Sequence, residues 1–93
     1  MEENIQKDTE MLDMIVQNFP DDPILKADGF DSAVIGYEEN DMRLIYSVRK
    51  CLEILMEDEM DYIEAHEYFT FNVSGAYVGE KTPIWCWDIL VNF

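Results

Sequence analysis

Two short segments rich in β-branched and aromatic residues constrain the fold of this chain more than any other feature. They occupy residues 33–37 and 42–46 and flank the polar tetrad Glu38-Glu39-Asn40-Asp41. Asn40 can adopt the left-handed conformation that tight turns require. The spacing therefore predicts a β-hairpin, and the rest of the chain must supply the elements that cover it.

An amphipathic helix is predicted ahead of the hairpin, over about residues 4–18. Its apolar residues recur three, four or seven positions apart, which is the spacing of one helix face. They are Ile5, Leu12, Ile15, Val16 and Phe19, and Pro20 ends the pattern.

Two further helices are predicted after the hairpin. Ser47 is a good N-cap for a helix from Val48 to about Glu57, whose apolar side consists of Cys51, Leu52, Leu55 and Met56. Asp61, followed three residues later by Glu64, has the spacing of a capping box and opens the next helix. The expected buried line of that helix, which Gly79 would close, comprises Tyr62, Ala65, Phe69, Val73 and Ala76.

A final strand is predicted over residues 84–91, with Trp85 and Trp87 on one face. We expect this tryptophan pair to pack in the core, and the alternative is an exposed edge strand available to a second copy of the chain, as a homodimer, or to another partner. The order α-β-β-α-α-β predicts one α+β domain spanning residues 1–93, with a three-stranded antiparallel sheet packed by helices.

The net charge of the chain limits the classes of partner that it can bind. It has 21 Asp and Glu against 6 Lys and Arg, for a net charge of −15. Such a chain repels nucleic acids and anionic lipid, so we expect no direct nucleic-acid binding and no membrane association. Attraction to a basic protein surface, or capture of cations, stays open. The hydrophobic fraction of 48% is enough to build a core.

The densest acidic feature is a row of seven carboxylates in a stretch, from Cys51 to Glu80, that contains no Lys or Arg. One interpretation is a solvated face with helix caps, and another is divalent cation binding, although the stretch lacks calcium-loop spacing. The third is a partner-binding surface that imitates a row of phosphates, since carboxylates three or four residues apart on a helix stand about 5 to 6 Å apart. The candidate residues are Glu53, Glu57, Asp58, Glu59, Asp61, Glu64 and Glu67.

No motif of a known catalytic chemistry is present. His66 is the single histidine, Cys51 and Cys86 lie on apolar patterns, and no phosphate-binding loop or paired-histidine motif occurs. We therefore expect a protein that is not an enzyme and has no catalytic residues, cofactor or metal, with a metal-dependent enzyme as an alternative. The two cysteines lack metal or redox spacing and no secretory leader precedes the domain, which predicts a cytoplasmic location.

Three strings, at residues 28–36, 43–47 and 64–84, resemble a group of small proteins frequent in tailed-phage genomes. The group shares the ending E-A-x-E-Y-x-x-F-N-V-x-G-A-Y-V-G-E-x-T-P-I, and the likeness covers about residues 28–87, leaving the first helix outside. The group has no assigned activity, so the resemblance implies phage origin, and hence the host cytoplasm, and no catalytic residues.

Together, charge and resemblance predict an acidic protein that binds and inhibits a basic, nucleic-acid-handling host protein, such as a nuclease or a CRISPR or restriction component. The alternative to this mimic is a self-associating structural or regulatory phage accessory protein.

Overall fold

The computed structural model describes residues 9–21, 23–76 and 79–88 of the chain. Its centre is a three-stranded sheet in the order β1-β2-β3, formed by Val34–Glu38, Arg43–Ser47 and Ile84–Cys86. The predicted hairpin is confirmed, because β1 and β2 pair antiparallel with Tyr37 opposite Leu44. Both carboxylate oxygens of Glu38 accept backbone N–H groups of the turn, from Asn40 at 2.6 Å and from Asp41 at 3.0 Å. The left-handed residue of this turn is Met42 (φ 57°) and not Asn40.

The sheet is mixed, so the expectation of a purely antiparallel sheet is wrong. β3 pairs parallel with β2, with Tyr46 beside Trp85 and Ser47 beside Cys86. Parallel neighbours require a long crossover connection. Two helices lie between β2 and β3 along the chain and supply it, so the overall class remains α+β.

Three α-helices surround the sheet: α1 over Glu10–Asn18, α2 over Val48–Glu57 and α3 over Tyr62–Phe69. A 3-10 turn at Asp31–Ala33 precedes β1, and a π-helical segment at Thr70–Ser74 follows α3. Both predicted caps are confirmed. The Ser47 hydroxyl accepts the Lys50 N–H at 3.0 Å, and Asp61 and Glu64 form the reciprocal capping box.

The core lies between the sheet and the helices and is centred on Tyr46, Leu44 and Cys51, which are almost fully buried. Leu12 and Ile15 of α1 and Ala65 and Phe69 of α3 pack into the same cluster. The Tyr46 hydroxyl accepts the Ala27 N–H at 2.8 Å, which fixes the loop ahead of the 3-10 turn to the sheet. Burial raises the pKa of Tyr46 to about 12.

Several sequence-based details differ in the structure. Val16, Met56, Tyr62 and Ala76 are exposed, although the helix patterns put them on buried sides. Tyr62 opens α3, and Ala76 follows the π-helical segment, whose wider turn shifts the helical phase before that residue. β3 ends at Cys86, so the predicted strand is too long at Trp87 and Asp88. The expectations for residues 1–8 and 89–93, including Ile5, lie outside the described residues.

Candidate interaction surface

Three of the five basic residues in the described parts of the chain make contacts between elements of the fold, whereas Lys26 pairs with Asp31 at the surface and the Lys50 side chain has no partner there. Arg43 Nε donates to the Thr82 carbonyl at 2.7 Å, and Lys81 Nζ donates to the Asp41 carbonyl. Arg49 donates to Asp88 at 2.9 Å. These three contacts join the segment around β3 to the hairpin and to α2. The positive charge of these three residues therefore stabilises contacts between elements of the fold.

Asp88 is the centre of the best-connected polar cluster among the described residues. Its carboxylate accepts the Ser47 hydroxyl at 2.5 Å and the Arg49 guanidinium, and Ser47 is itself the N-cap of α2. Partial desolvation acts to raise the pKa of Asp88, but the hydrogen bonds from Ser47 and Arg49 and the charge of Arg49 outweigh it, so the pKa lies below its usual value. The hydrogen bond to Asp88 raises the pKa of Arg49.

Three of the seven candidate acidic residues have structural partners. Glu53 pairs with Arg49 at 3.3 Å, one turn along α2. Asp61 accepts the Glu64 N–H at 2.8 Å and Glu64 accepts the Asp61 N–H at 3.0 Å, so both satisfy the first turn of α3. For these three residues, the interpretation as helix caps and local pairing accounts for their presence.

The other four candidates, Glu57, Asp58, Glu59 and Glu67, are exposed. Within the described segments none of the four side chains makes an ion pair or a hydrogen bond. Glu57 ends α2, Asp58 and Glu59 form the turn that follows it, in which Glu59 adopts the left-handed conformation (φ 73°), and Glu67 lies on α3. We call these four residues the acidic surface.

Exposed apolar side chains border the acidic surface, a feature that the sequence patterns did not reveal. Ile63 is 70% exposed, Phe71 80% and Trp87 56%. Tyr62 contacts His66 in a tilted arrangement with ring centroids 6.1 Å apart, and His66 stacks on Trp87 with centroids 6.2 Å apart. The signal in the sequence was the adjacent pair Tyr62-Ile63 at the start of α3, because neighbouring helix positions point in different directions and both cannot share the buried face of Ala65 and Phe69.

Trp85 and Trp87 have different environments. Trp85 is half-buried, packs against Tyr46 and Phe69 and belongs to the margin of the core, as predicted. Trp87 lies beyond the end of β3 and is exposed, so the expectation that it packs in the core is wrong. In a continued strand, Trp87 would lie on the same face as Trp85, because alternate residues share a face. β3 ends at Cys86, so this alternation does not extend to Trp87.

The Cys51 thiol is a poor nucleophile. Cys51 is fully buried. Desolvation, and to a smaller extent the charge of Asp88, raises the pKa of its thiol to about 12, which keeps the thiol protonated.

An apolar cleft of about 230 Å³ lies between the loop at Leu25 and the π-helical segment, with Trp85 and Pro83 in its wall. Its volume is below the roughly 300 Å³ at which small-molecule sites begin.

The described parts of the chain hold no group of three or more His, Cys, Asp or Glu side chains placed to bind a metal ion. No helix within those parts has the length and apolar character needed to cross a membrane. Comparison of the chain with protein-family models, with curated proteins and with solved structures found no match.

Proposed function

We propose that this chain is an acidic, phage-type interaction protein that binds a basic, nucleic-acid-handling host protein and inhibits it by imitating nucleic acid. The observation that carries the proposal is the unequal use of charge. Arg43, Arg49 and Lys81 have partners inside the fold, whereas the four carboxylates of the acidic surface have none among the described residues.

The acidic surface favours a basic partner through charge complementarity. An exposed carboxylate with no partner adds little to the stability of the fold, since even a surface ion pair contributes only about 0 to 1 kcal/mol to the free energy of unfolding. A row of them creates a negative potential that attracts a basic surface and speeds encounter with it. Proteins that bind nucleic acid have a basic surface that is complementary to such a potential.

The resemblance of residues 28–87 to a group of tailed-phage proteins supports the choice of a host target. Phages benefit when host nucleases, restriction enzymes or CRISPR complexes are blocked. The proposed function involves no catalysis. The proposed location of the inhibitor is the host cytoplasm.

The test is capture of bacterial proteins on immobilised wild-type chain and on two variants of equal charge. In the first, Glu57, Glu59 and Glu67 are changed to lysine, which raises the net charge from −15 to −9 because each of three reversals adds +2. Glu64 is left intact because it accepts the Asp61 N–H. In the matched control, the exposed Asp21, Glu39 and Glu80 are changed to lysine, giving the same net charge.

We expect the wild type and the control to retain the same basic protein, and the acidic-surface variant to lose it. Equal retention by all three chains would contradict the proposal. Retention of only further copies of the chain itself would favour the self-associating accessory protein, for which the position of β3 at an edge of the described sheet provides an argument.

A further inference from the structure

We propose that the ring row Tyr62-His66-Trp87, together with Glu67, is a docking surface for arginine side chains of the basic partner. This inference rests on the proposed function and names the chemistry of the contact. Its starting point is the pair of ring contacts that link α3 to the residue after β3, at centroid distances of 6.1 and 6.2 Å.

The row is held in place by structure on both sides. Tyr62 and His66 are four residues apart on α3 and therefore neighbours on its surface. Trp87 is flanked by Asp88, which is fixed to Ser47 and Arg49, and by β3. The rings are therefore oriented before a partner arrives, which lowers the entropic cost of binding.

All three residues of the row are exposed. Tyr62 is 50% exposed and Trp87 56%, and His66 is also exposed. Exposed rings of this size, with Ile63 beside them, form an apolar patch of the type found at protein interaction sites.

The negative charge near the ring row favours a cationic side chain as its ligand. Glu67 lies four residues after Ile63, on the same exposed side of α3, and has no partner among the described residues. Arg49, the base that contacts Asp88 beside Trp87, is already paired with Asp88 and Glu53. A second copy of the chain would bring another −15 of charge to this face, which argues against self-association here.

Arginine fits the combination better than lysine does. Its guanidinium is planar and weakly hydrated, stacks on aromatic faces and can donate two parallel hydrogen bonds to one carboxylate. Lysine satisfies the charge but forms a poorer stack because its ammonium is compact and strongly hydrated. Trp87 offers the ring that cation–π contacts favour most.

The experiment measures binding of an oligoarginine peptide and an oligolysine peptide of equal length, by calorimetry at fixed salt. The chains are the wild type, Trp87→Leu, and Phe71→Leu as a matched control, since Phe71 is more exposed than Trp87 and makes none of the ring contacts found among the described residues. We expect the wild type to prefer oligoarginine by about twofold to fivefold, the range that a cation–π contact at an exposed site supplies. Trp87→Leu removes this preference, and Phe71→Leu keeps it.

Equal affinity of the wild type for both peptides would overturn the inference, as would a preference that survives Trp87→Leu or is lost equally in Phe71→Leu. The acidic-surface variant separates the two proposals. If it loses both peptides while the wild type binds them equally, the acidic surface still binds basic partners and only the arginine preference is wrong. If the wild type binds neither peptide, both proposals fail.

Discussion

Asp88 shows how one side chain can connect three elements. It accepts hydrogen bonds from the N-cap of α2 and from Arg49 in the first turn of that helix, and it follows β3 closely along the chain. The side chains of Arg49 and Asp88 are 28% and 24% exposed, so the pair is partly shielded from water. Its geometry explains why a base occupies the first turn of α2, where the helix dipole alone disfavours it.

Replacing Asp88 by alanine tests this residue. We expect Asp88→Ala to lower the free energy of unfolding by about 2 kcal/mol, because two hydrogen bonds to a charged group are lost. The control is Glu53→Ala, which removes the more exposed partner of the same Arg49 and should cost less than about 0.5 kcal/mol. Chemical denaturation of the three chains gives both values, and equal losses would contradict this assignment.

The stability difference between the wild type and Asp88→Ala should depend on pH. The pKa of Asp88 is lowered in the folded chain, so the unfolded state binds more protons in the acidic range. The stabilisation by Asp88 is therefore complete at neutral pH. It declines as the pH falls below the ordinary carboxyl value of 3.8 and is lost through the lowered folded pKa. The gap between wild type and Asp88→Ala should narrow over this range, and a constant gap would contradict the ion pair.

Among the elements, the π-helical segment at Thr70–Ser74 is the one that departs most from sequence expectation. The apolar pattern of residues 62–76 predicts one continuous helix, but the α-helix ends at Phe69 and the Gly75 N–H bonds to the Thr70 carbonyl at 3.0 Å, five residues back. A Cβ at Gly75 would lie 2.6 Å from that carbonyl oxygen. The wide turn therefore depends on a glycine at this position.

Gly75→Ala tests the wide turn. We expect a loss of about 1 to 3 kcal/mol in unfolding free energy, as for other substitutions that force a backbone shift. The control is Gly36→Ala in β1, where an added Cβ meets nothing within 4 Å, and this change should have little effect. Thermal or chemical denaturation checks both variants. A neutral Gly75→Ala would show that the segment can return to ordinary helical geometry.

Local signals in the sequence were sufficient for the hairpin and both helix caps, because a turn tetrad and a capping box are satisfied within a few residues. The direction of β3 was not accessible in this way. Its parallel pairing with β2 depends on how α2 and α3 pack on the sheet, which no local pattern encodes. The exposure of Trp87 depends in turn on where β3 ends.

At the scale of the whole molecule, the charges are divided between two tasks. Arg43, Arg49 and Lys81 stabilise the junction of the hairpin, α2 and β3, and the carboxylates of the turn from α2 to α3 remain facing solvent. The acid-rich stretch was evident in the sequence as a run with no base. Which of its members cap helices and which are free required the structure, because a capping carboxylate and a solvated one have the same sequence letter.

The most direct measurement of the central claim is competition between nucleic acid and this chain for the basic protein that it captures. If the acidic surface imitates a phosphate row, added nucleic acid displaces the chain from its partner, and the affinity of the complex falls steeply as NaCl is raised. A complex that keeps its affinity in saturating nucleic acid and across that salt range would contradict the account.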